Sequence, residues 1–308
     1  MSLLTHLVQF RLSLQENDRR PRTIDSYAKD VKRFERWFQQ ERGESPALSA
    51  ITPLDVRDYR AYMRREMALS PNTINRRLAG LRVFLNWAVD AGHLAANPGA
   101  RISGIKQVTT APRWLDRSEQ YRLLRALERA VRLAQTEGGA DAQRQALRDR
   151  AIVLTLLHTG LRVRELVSLQ LEDVHLAERK GSVYVREGKG GKSRNVPLNA
   201  EAREALNDYL AVRPAGAGER LLLGQRGPIG SRQVQRLLKK YARQAGLDEK
   251  TLTAHALRHT FGKNLVDAGV SLDRVATLLG HANLNTTRIY TTPDERDLQQ
   301  AVEKVANL

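Results

Sequence analysis

The 308-residue sequence contains no cysteine, which excludes structural disulfides, thiolate zinc centres and a cysteine nucleophile. Any covalent chemistry must therefore run through another side chain. No apolar run approaches the roughly 18 residues that a membrane span needs. The opening stretch MSLLTHLVQFRLSLQENDRR also lacks the cationic n-region and small-residue cleavage site of a secretory signal. The expectation is a soluble, cytoplasmic chain with no membrane partner. Acidic residues are in deficit, 34 Asp plus Glu against 51 Lys plus Arg, and the formal net charge of +17 points to a polyanionic partner, nucleic acid ahead of an acidic membrane. A cluster of acidic metal ligands and a Walker-type phosphate loop are both lacking. Gly191-Lys192-Ser193 imitates the end of such a loop, but Arg186 stands where its first glycine is required. No metal and no cofactor are expected.

With 41% hydrophobic and 28% charged residues, the composition is that of a folded protein, and the length suggests two domains. A stretch from Asn97 to Ala111, containing Pro98, Gly99 and Gly104 and followed by Pro112, has no apolar periodicity and reads as a linker. The expected division is a helical domain over residues 1–100, a linker over 101–112 and a larger domain over 113–308. Upstream, Ile24, Tyr27, Val31, Phe34 and Phe38 recur at helical spacing behind Thr23, taken as the N-cap. A second helix follows Ser70-Pro71-Asn72, with Ile74, Leu78, Leu81, Leu85 and Ala88 on its apolar face and Gly92 as its stop. Arg76 and Arg77 decorate that helix. Singly they read as solvated surface, whereas together with the other arginines of this region they favour a face laid on phosphates.

Downstream, Leu147 to His158 is apolar almost all round and should be a buried helix ended by Thr159-Gly160. A helix from Val163 to about Leu171 comes next, then a hairpin of Ser182–Arg186 with Asn195–Leu198. Its tip, Glu187 to Arg194, is glycine-rich and basic. Arg129 to Gln145 reads as a surface loop or frayed helix, and the remainder as helical. The fold class is thus mainly α with a small antiparallel β-sheet.

Polar chemistry concentrates in four motifs: Thr159-Gly160-Leu161-Arg162 with Glu165, Gly188-Lys189-Gly190, His255-Ala256-Leu257-Arg258, and Leu279-Gly280-His281 followed by Tyr290. Arg162 and Arg258 are permanently charged forks, and each alone would read as a helix cap or surface pair. Converging, two guanidiniums match the non-bridging oxygens of a phosphoryl group and its developing charge. Lys189 sits at the hairpin tip, where an ammonium can meet phosphate or give a proton to a leaving oxygen. His255 and His259 have i, i+4 spacing, but Ala256 stands where a metalloprotease needs glutamate. His259 reads as structural. Tyr290 follows Asn285-Thr286-Thr287-Arg288-Ile289, where Asn285 would cap a short helix. A phenol with an ordinary pKa near 10 needs neighbouring cations and a base to become a nucleophile.

In this order and spacing the motifs resemble the tyrosine recombinase (phage integrase) family, and Thr73–Leu78 through Asn97-Pro98 resembles the end of its helical core-binding domain. The resemblance implies a core-binding bundle and a catalytic domain clamped on DNA. It implies Tyr290 as nucleophile forming a 3′-phosphotyrosyl link, Arg162 and Arg258 on the scissile phosphate, and Lys189 as general acid. It also implies His255 and His281 on the phosphate or the tyrosine hydroxyl, with His255 assisting proton removal, and Glu165 supporting these groups without reacting. Arg76, Arg77, Lys192 and Arg194 would bind DNA. The partners implied are double-stranded recombination sites and a tetramer, of this chain alone or with a related recombinase, in which the segment after Tyr290 docks on a neighbour. The layout suggests a Xer-like or transposon-resolving enzyme. The alternatives are a mobile-element integrase with the same mechanism, a type IB-like topoisomerase, and a non-catalytic DNA-binding regulator.

Overall fold

The computed structural model describes residues 3–106, 113–186, 193–281 and 286–290, and the chain divides into two compact units, Met1–Thr110 and Ala111–Leu308. The fold is mainly helical with small antiparallel sheets. Among the described residues no helix is long and apolar enough to cross a membrane.

The first unit is a bundle of α1 (Leu3–Glu16), α2 (Pro21–Arg42), α3 (Pro53–Arg65) and α4 (Pro71–Asp90). Helix α2 starts at Pro21 rather than behind Thr23, because a proline ring already has the φ of a first helical turn and needs no N–H there. Thr52 and Asp55 form a capping box on α3, and the Ser70 hydroxyl caps α4. The apolar stripes read from sequence meet in one core: Ile24, Val31 and Phe34 of α2 and Ile74, Leu78, Leu81 and Leu85 of α4 are all buried. Phe10 and Phe34 stand edge-on to Phe84 and Tyr59, at centroid distances of 5.2 Å in each pair. The chain after α4 is fastened to the bundle rather than free. The Asn75 amide donates to the carbonyl of Ile105 at 2.9 Å and accepts its N–H at 2.7 Å, while Arg60 donates to the Ser103 carbonyl at 2.6 Å. Backbone groups that a Gly-containing stretch leaves unpaired are satisfied by side chains of the helices.

In the second unit, α5 (Arg117–Thr136) and α6 (Ala140–Thr159) run through most of the stretch expected to be a surface loop or frayed helix, with a break only around Gly138-Gly139. Helical spacing there is masked in the sequence by arginines whose stems pack along the surface. Helix α6 buries Ala151 to Leu157 as the central element of the core. After α7 (Val163–Ser168) come β1 (Val174–Leu176), β2 (Gly181–Val185) and β3 (Arg194–Pro197) in antiparallel order, with Val183 opposite Val196. Helix α8 (Ala200–Val212) packs on α6. A two-residue ladder of β4 (Leu223–Gly224) and β5 (Gly227–Pro228) leads into α9 (Ser231–Gln244), α10 (Ala254–Asp267) and α11 (Leu272–Leu279). A 3₁₀ turn, Arg288–Tyr290, ends the described part.

Gly160 ends α6 in the left-handed region, φ 60°. A β-carbon at that position would stand 2.6 Å from the Phe261 ring and 2.7 Å from Leu279. Gly160→Ala is expected to cost about 1 kcal/mol in backbone strain and about 1–3 kcal/mol in overpacking. Chemical denaturation of the two proteins side by side measures the loss.

Candidate active site

Three chain reversals build the site. Past Gly160, Arg162 occupies the N-cap of α7, where its own backbone N–H reaches Glu165 Oε2 at 2.9 Å and its Nη1 reaches Oε1 at 2.6 Å. Its Nη2 donates to the Gly280 carbonyl at 3.2 Å. Arg194 enters from β3 and closes the other side of the same carboxylate, Nη2 to Oε2 at 2.8 Å and Nη1 to Oε1 at 3.2 Å, with Nε on the Leu278 carbonyl. Glu165 is buried. Burial alone would raise its carboxyl, but hydrogen bonds from Arg194 and from the Arg162 backbone outweigh it and hold the group below the usual carboxylate range.

Arg258 projects from α10 with only 3% of its surface exposed. No carboxylate meets its guanidinium among the hydrogen bonds of the described residues; it donates to two carbonyls, Gly160 and Leu279, each at 2.6 Å. Burial, then the neighbouring Arg162, bring it down to about 10, so it stays charged at neutral pH. His255 lies three residues before it on α10, at the exposed rim. The His255 and His259 rings meet edge to face, centroids 4.6 Å apart. His281 follows α11 and its Nδ1 is 2.9 Å from the Thr287 hydroxyl, and Thr287 is wholly buried. Loss of water around the ring, with Arg258 and Arg162 nearby, brings His281 to about 4. His259 is likewise held at about 4, by burial and then by His255 and Arg258. Both rings are neutral at pH 7.

Tyr290 is 1% exposed. Its ring packs with Val275 and Leu279 and lies over Gly262, where a β-carbon would stand 2.6 Å from the phenol. Burial pushes the hydroxyl up to about 12, only partly offset by Arg258. Its hydroxyl sits 2.9 Å from Nδ1 of His259.

Arg162, Glu165, His255, Arg258, His281 and Tyr290 are thus gathered around the ends of α6, α10 and α11. Lys189, Lys192 and Asn285 lie outside the described residues. Arg194, expected on DNA, is instead committed to the buried Glu165, its side chain only 9% exposed. A hairpin strand that packs against the site turns this arginine inward, which its place beside a basic tip does not reveal. Arg76 forks onto the fully buried carboxylate of Asp30, at 2.8 and 3.2 Å, and onto Ser26, with its own side chain 48% exposed. Arg77 turns toward the Met67 sulfur at 3.7 Å, with its Nε buried. Counting charge along the hairpin could not show that the partner of Arg194 is internal.

Two residues of the site were not singled out for it. His259 carried a signal, its i, i+4 spacing from His255, but nothing local links it to Tyr290. Thr287 carried none. A cleft of about 430 Å³ opens beside Arg162, Arg258 and His255, walled by Val163, Leu238 and Leu252 and bordered by Arg164 and Lys239. Helix α9 turns Arg232, Arg236, Lys239, Lys240 and Arg243 to solvent. Converging guanidiniums, neutral imidazoles and a phenol suit a phosphodiester: cations for its oxygens and a nucleophile for its phosphorus.

Comparison with known proteins agrees with that chemistry. Residues 113–296 match the phage integrase family, and residues 7–92 match the SAM-like N-terminal domain of phage integrases. Tyrosine recombinase XerC of Pelobacter propionicus is 32% identical over 98% of this chain and 95% of its own length. Tyrosine recombinase XerD of Ralstonia nicotianae is 36% identical over 87% and 83%. The crystal structure of XerH site-specific recombinase bound to difH substrate, a pre-cleavage complex, superposes with a TM-score of 0.70 at 25% identity, covering 91% of this chain and 78% of that one.

The titration of the two inner histidines has a thermal consequence. Between their ordinary value of 6.5 and about 4, the unfolded chain binds protons that the folded chain refuses, so stability falls as pH drops through that window. The melting temperature is expected to decline from pH 6.5 to pH 4, and His281→Asn to lessen the decline. Removing the carboxylate, Glu165→Ala, leaves Arg194 buried and unpaired and is expected to cost about 3–5 kcal/mol, measurable by denaturant unfolding.

Proposed function

This chain belongs to the phage integrase family of tyrosine recombinases, site-specific enzymes that cleave and rejoin DNA, and from that premise we propose how its own residues carry the reaction. Tyr290 attacks a DNA phosphodiester in line. The Oη–phosphorus bond forms, the bond to the 5′ oxygen breaks, and a 3′-phosphotyrosyl link holds the strand until a 5′ hydroxyl reverses the step. Arg162 and Arg258 take the non-bridging oxygens and stabilise the charge that grows on them. His255 and His281 hydrogen-bond the same phosphate. His255 assists removal of the phenol proton, and Lys189 protonates the leaving oxygen. Glu165 keeps Arg162 and Arg194 in place. The observation that carries this reading is the fixed pair of guanidiniums, Arg162 on Glu165 and Gly280, and Arg258 on Gly160 and Leu279, within the same group of reversals as Tyr290.

Energy of the cleaved bond is kept in the covalent link, so the cycle needs no nucleotide. Residues 1–100 would be the core-binding domain, with residues 101–112 joining it to the catalytic domain of residues 113–308. The exposed cations of α9, and Arg164 and Lys239 at the cleft, support contact with the duplex near the scissile phosphate. Recombination sites on cytoplasmic DNA, occupied by four protomers in all, are the proposed substrate. Resolving dimers or cointegrates and moving a mobile element are both served by this reaction.

The test is a suicide-substrate assay, with nicked duplexes tiled from the DNA flanking the gene and no nucleotide or divalent metal. A denaturant-resistant protein–DNA adduct is expected, absent in Tyr290→Phe, whose duplex affinity stays within about twofold. Arg258→Ala is expected to slow the adduct at least about 10²-fold. Duplex affinity should fall steeply with salt, as phosphate contacts release counterions. Tight binding with no adduct on any flanking duplex would point to a regulatory binder.

A further inference from the structure

Resting on the assignment of Tyr290 as nucleophile, we infer that His259 is a positioning residue for this reaction, holding the tyrosine hydroxyl in place from one turn below His255. Its Nδ1 lies 2.9 Å from Tyr290 Oη. Neither His255 nor His281 is given a bond to that oxygen, and His281 is instead engaged by Thr287.

Both groups are uncharged at neutral pH: the buried phenol, at about 12, keeps its proton, and the imidazole is at about 4. A neutral imidazole has one acceptor nitrogen. With the imidazole proton on Nε2, Tyr290 donates its O–H to Nδ1. An O–H committed to Nδ1 leaves the lone pairs of Oη free for phosphorus, which is the alignment an in-line attack requires.

The rest of the environment fixes the pair. His259 stands on α10, a helix that also supplies Arg258 and His255. The Tyr290 ring, with centroid 5.6 Å from the His259 ring, is seated over Gly262 of the same helix. One rigid element thus sets both the phosphate ligand and the orientation of the nucleophile. His259 is also a poor final acceptor for the proton, because burial, and then the flanking His255 and Arg258, disfavour its charged form. Its contribution is geometric.

The experiment compares His259→Phe, an aromatic ring without an acceptor, with His259→Asn, whose Oδ1 replaces Nδ1 as acceptor at the same distance from the backbone. Single-turnover adduct formation and duplex affinity are measured on the nicked duplex that traps the unsubstituted protein, with Tyr290→Phe alongside. His259→Phe is expected to bind the duplex within about twofold and to form adduct roughly 10–100-fold more slowly, in keeping with a lost orienting contact. His259→Asn is expected to recover most of that rate. Equal losses in the Phe and Asn proteins would overturn the inference and assign the effect to packing, and so would an unchanged rate in His259→Phe. If the Phe protein fails to fold, the Asn protein decides alone: a rate within about fivefold of the parent, with parental affinity, upholds the role, and a larger loss overturns it. An adduct that persists in Tyr290→Phe would instead refute the assignment of the nucleophile itself.

Discussion

One carboxylate makes the site possible. Arg162, Arg194 and Arg258 are brought into a region that is largely shielded from water, where like charges repel strongly and each has lost hydration. Glu165 accepts from two of the three and from the Arg162 backbone as well. Arg258 is stabilised by main-chain carbonyls. What is left over is a net positive field with a vacant side, the electrostatic complement of a phosphodiester. Burial first, and then the same cations, lower the pKa values of His255, His259 and His281.

That arrangement joins parts of the chain that are far apart in sequence. Arg162 comes from the turn after α6, Arg194 from β3, Arg258 from α10 and Tyr290 from the turn beyond α11. Helix α10 packs on the buried α6, as α8 does, and the carbonyl of the Gly160 cap of α6 receives Arg258. The hydrophobic core is thus continuous with the charged site, and Tyr290 belongs to both, with its ring among Val275 and Leu279 and its oxygen on His259.

Much of this was legible in the sequence. The stripes of α2 and α4, the buried α6 and the β2–β3 hairpin follow from apolar periodicity, and the motif set identifies the polar residues that the fold collects. Local spacing was informative where the contact is local: Arg162 and Glu165, three residues apart, form an ion pair. It was uninformative where the partner is remote. Arg194 read as a surface cation because nothing near it in sequence announces Glu165, and the bond from His259 to Tyr290 spans two elements. Arg129 to Gln145 read as a surface loop or frayed helix because a pair of glycines separates what are two helices, α5 and α6.

The anchoring of Arg258 by two peptide carbonyls sets how the site responds to sequence change. A guanidinium tied to side chains moves when those side chains are replaced, whereas here its bearings are taken from the path of the chain itself. Both carbonyls belong to turns held by glycines of positive φ, Gly160 and Gly280, and a β-carbon at the second would press on Arg194 at 2.9 Å. Apolar neighbours can therefore drift in identity while the charge keeps its coordinates. Besides Glu165, the site is brittle at residues that have no side chain at all: Gly160, Gly280 and, beneath the Tyr290 ring, Gly262.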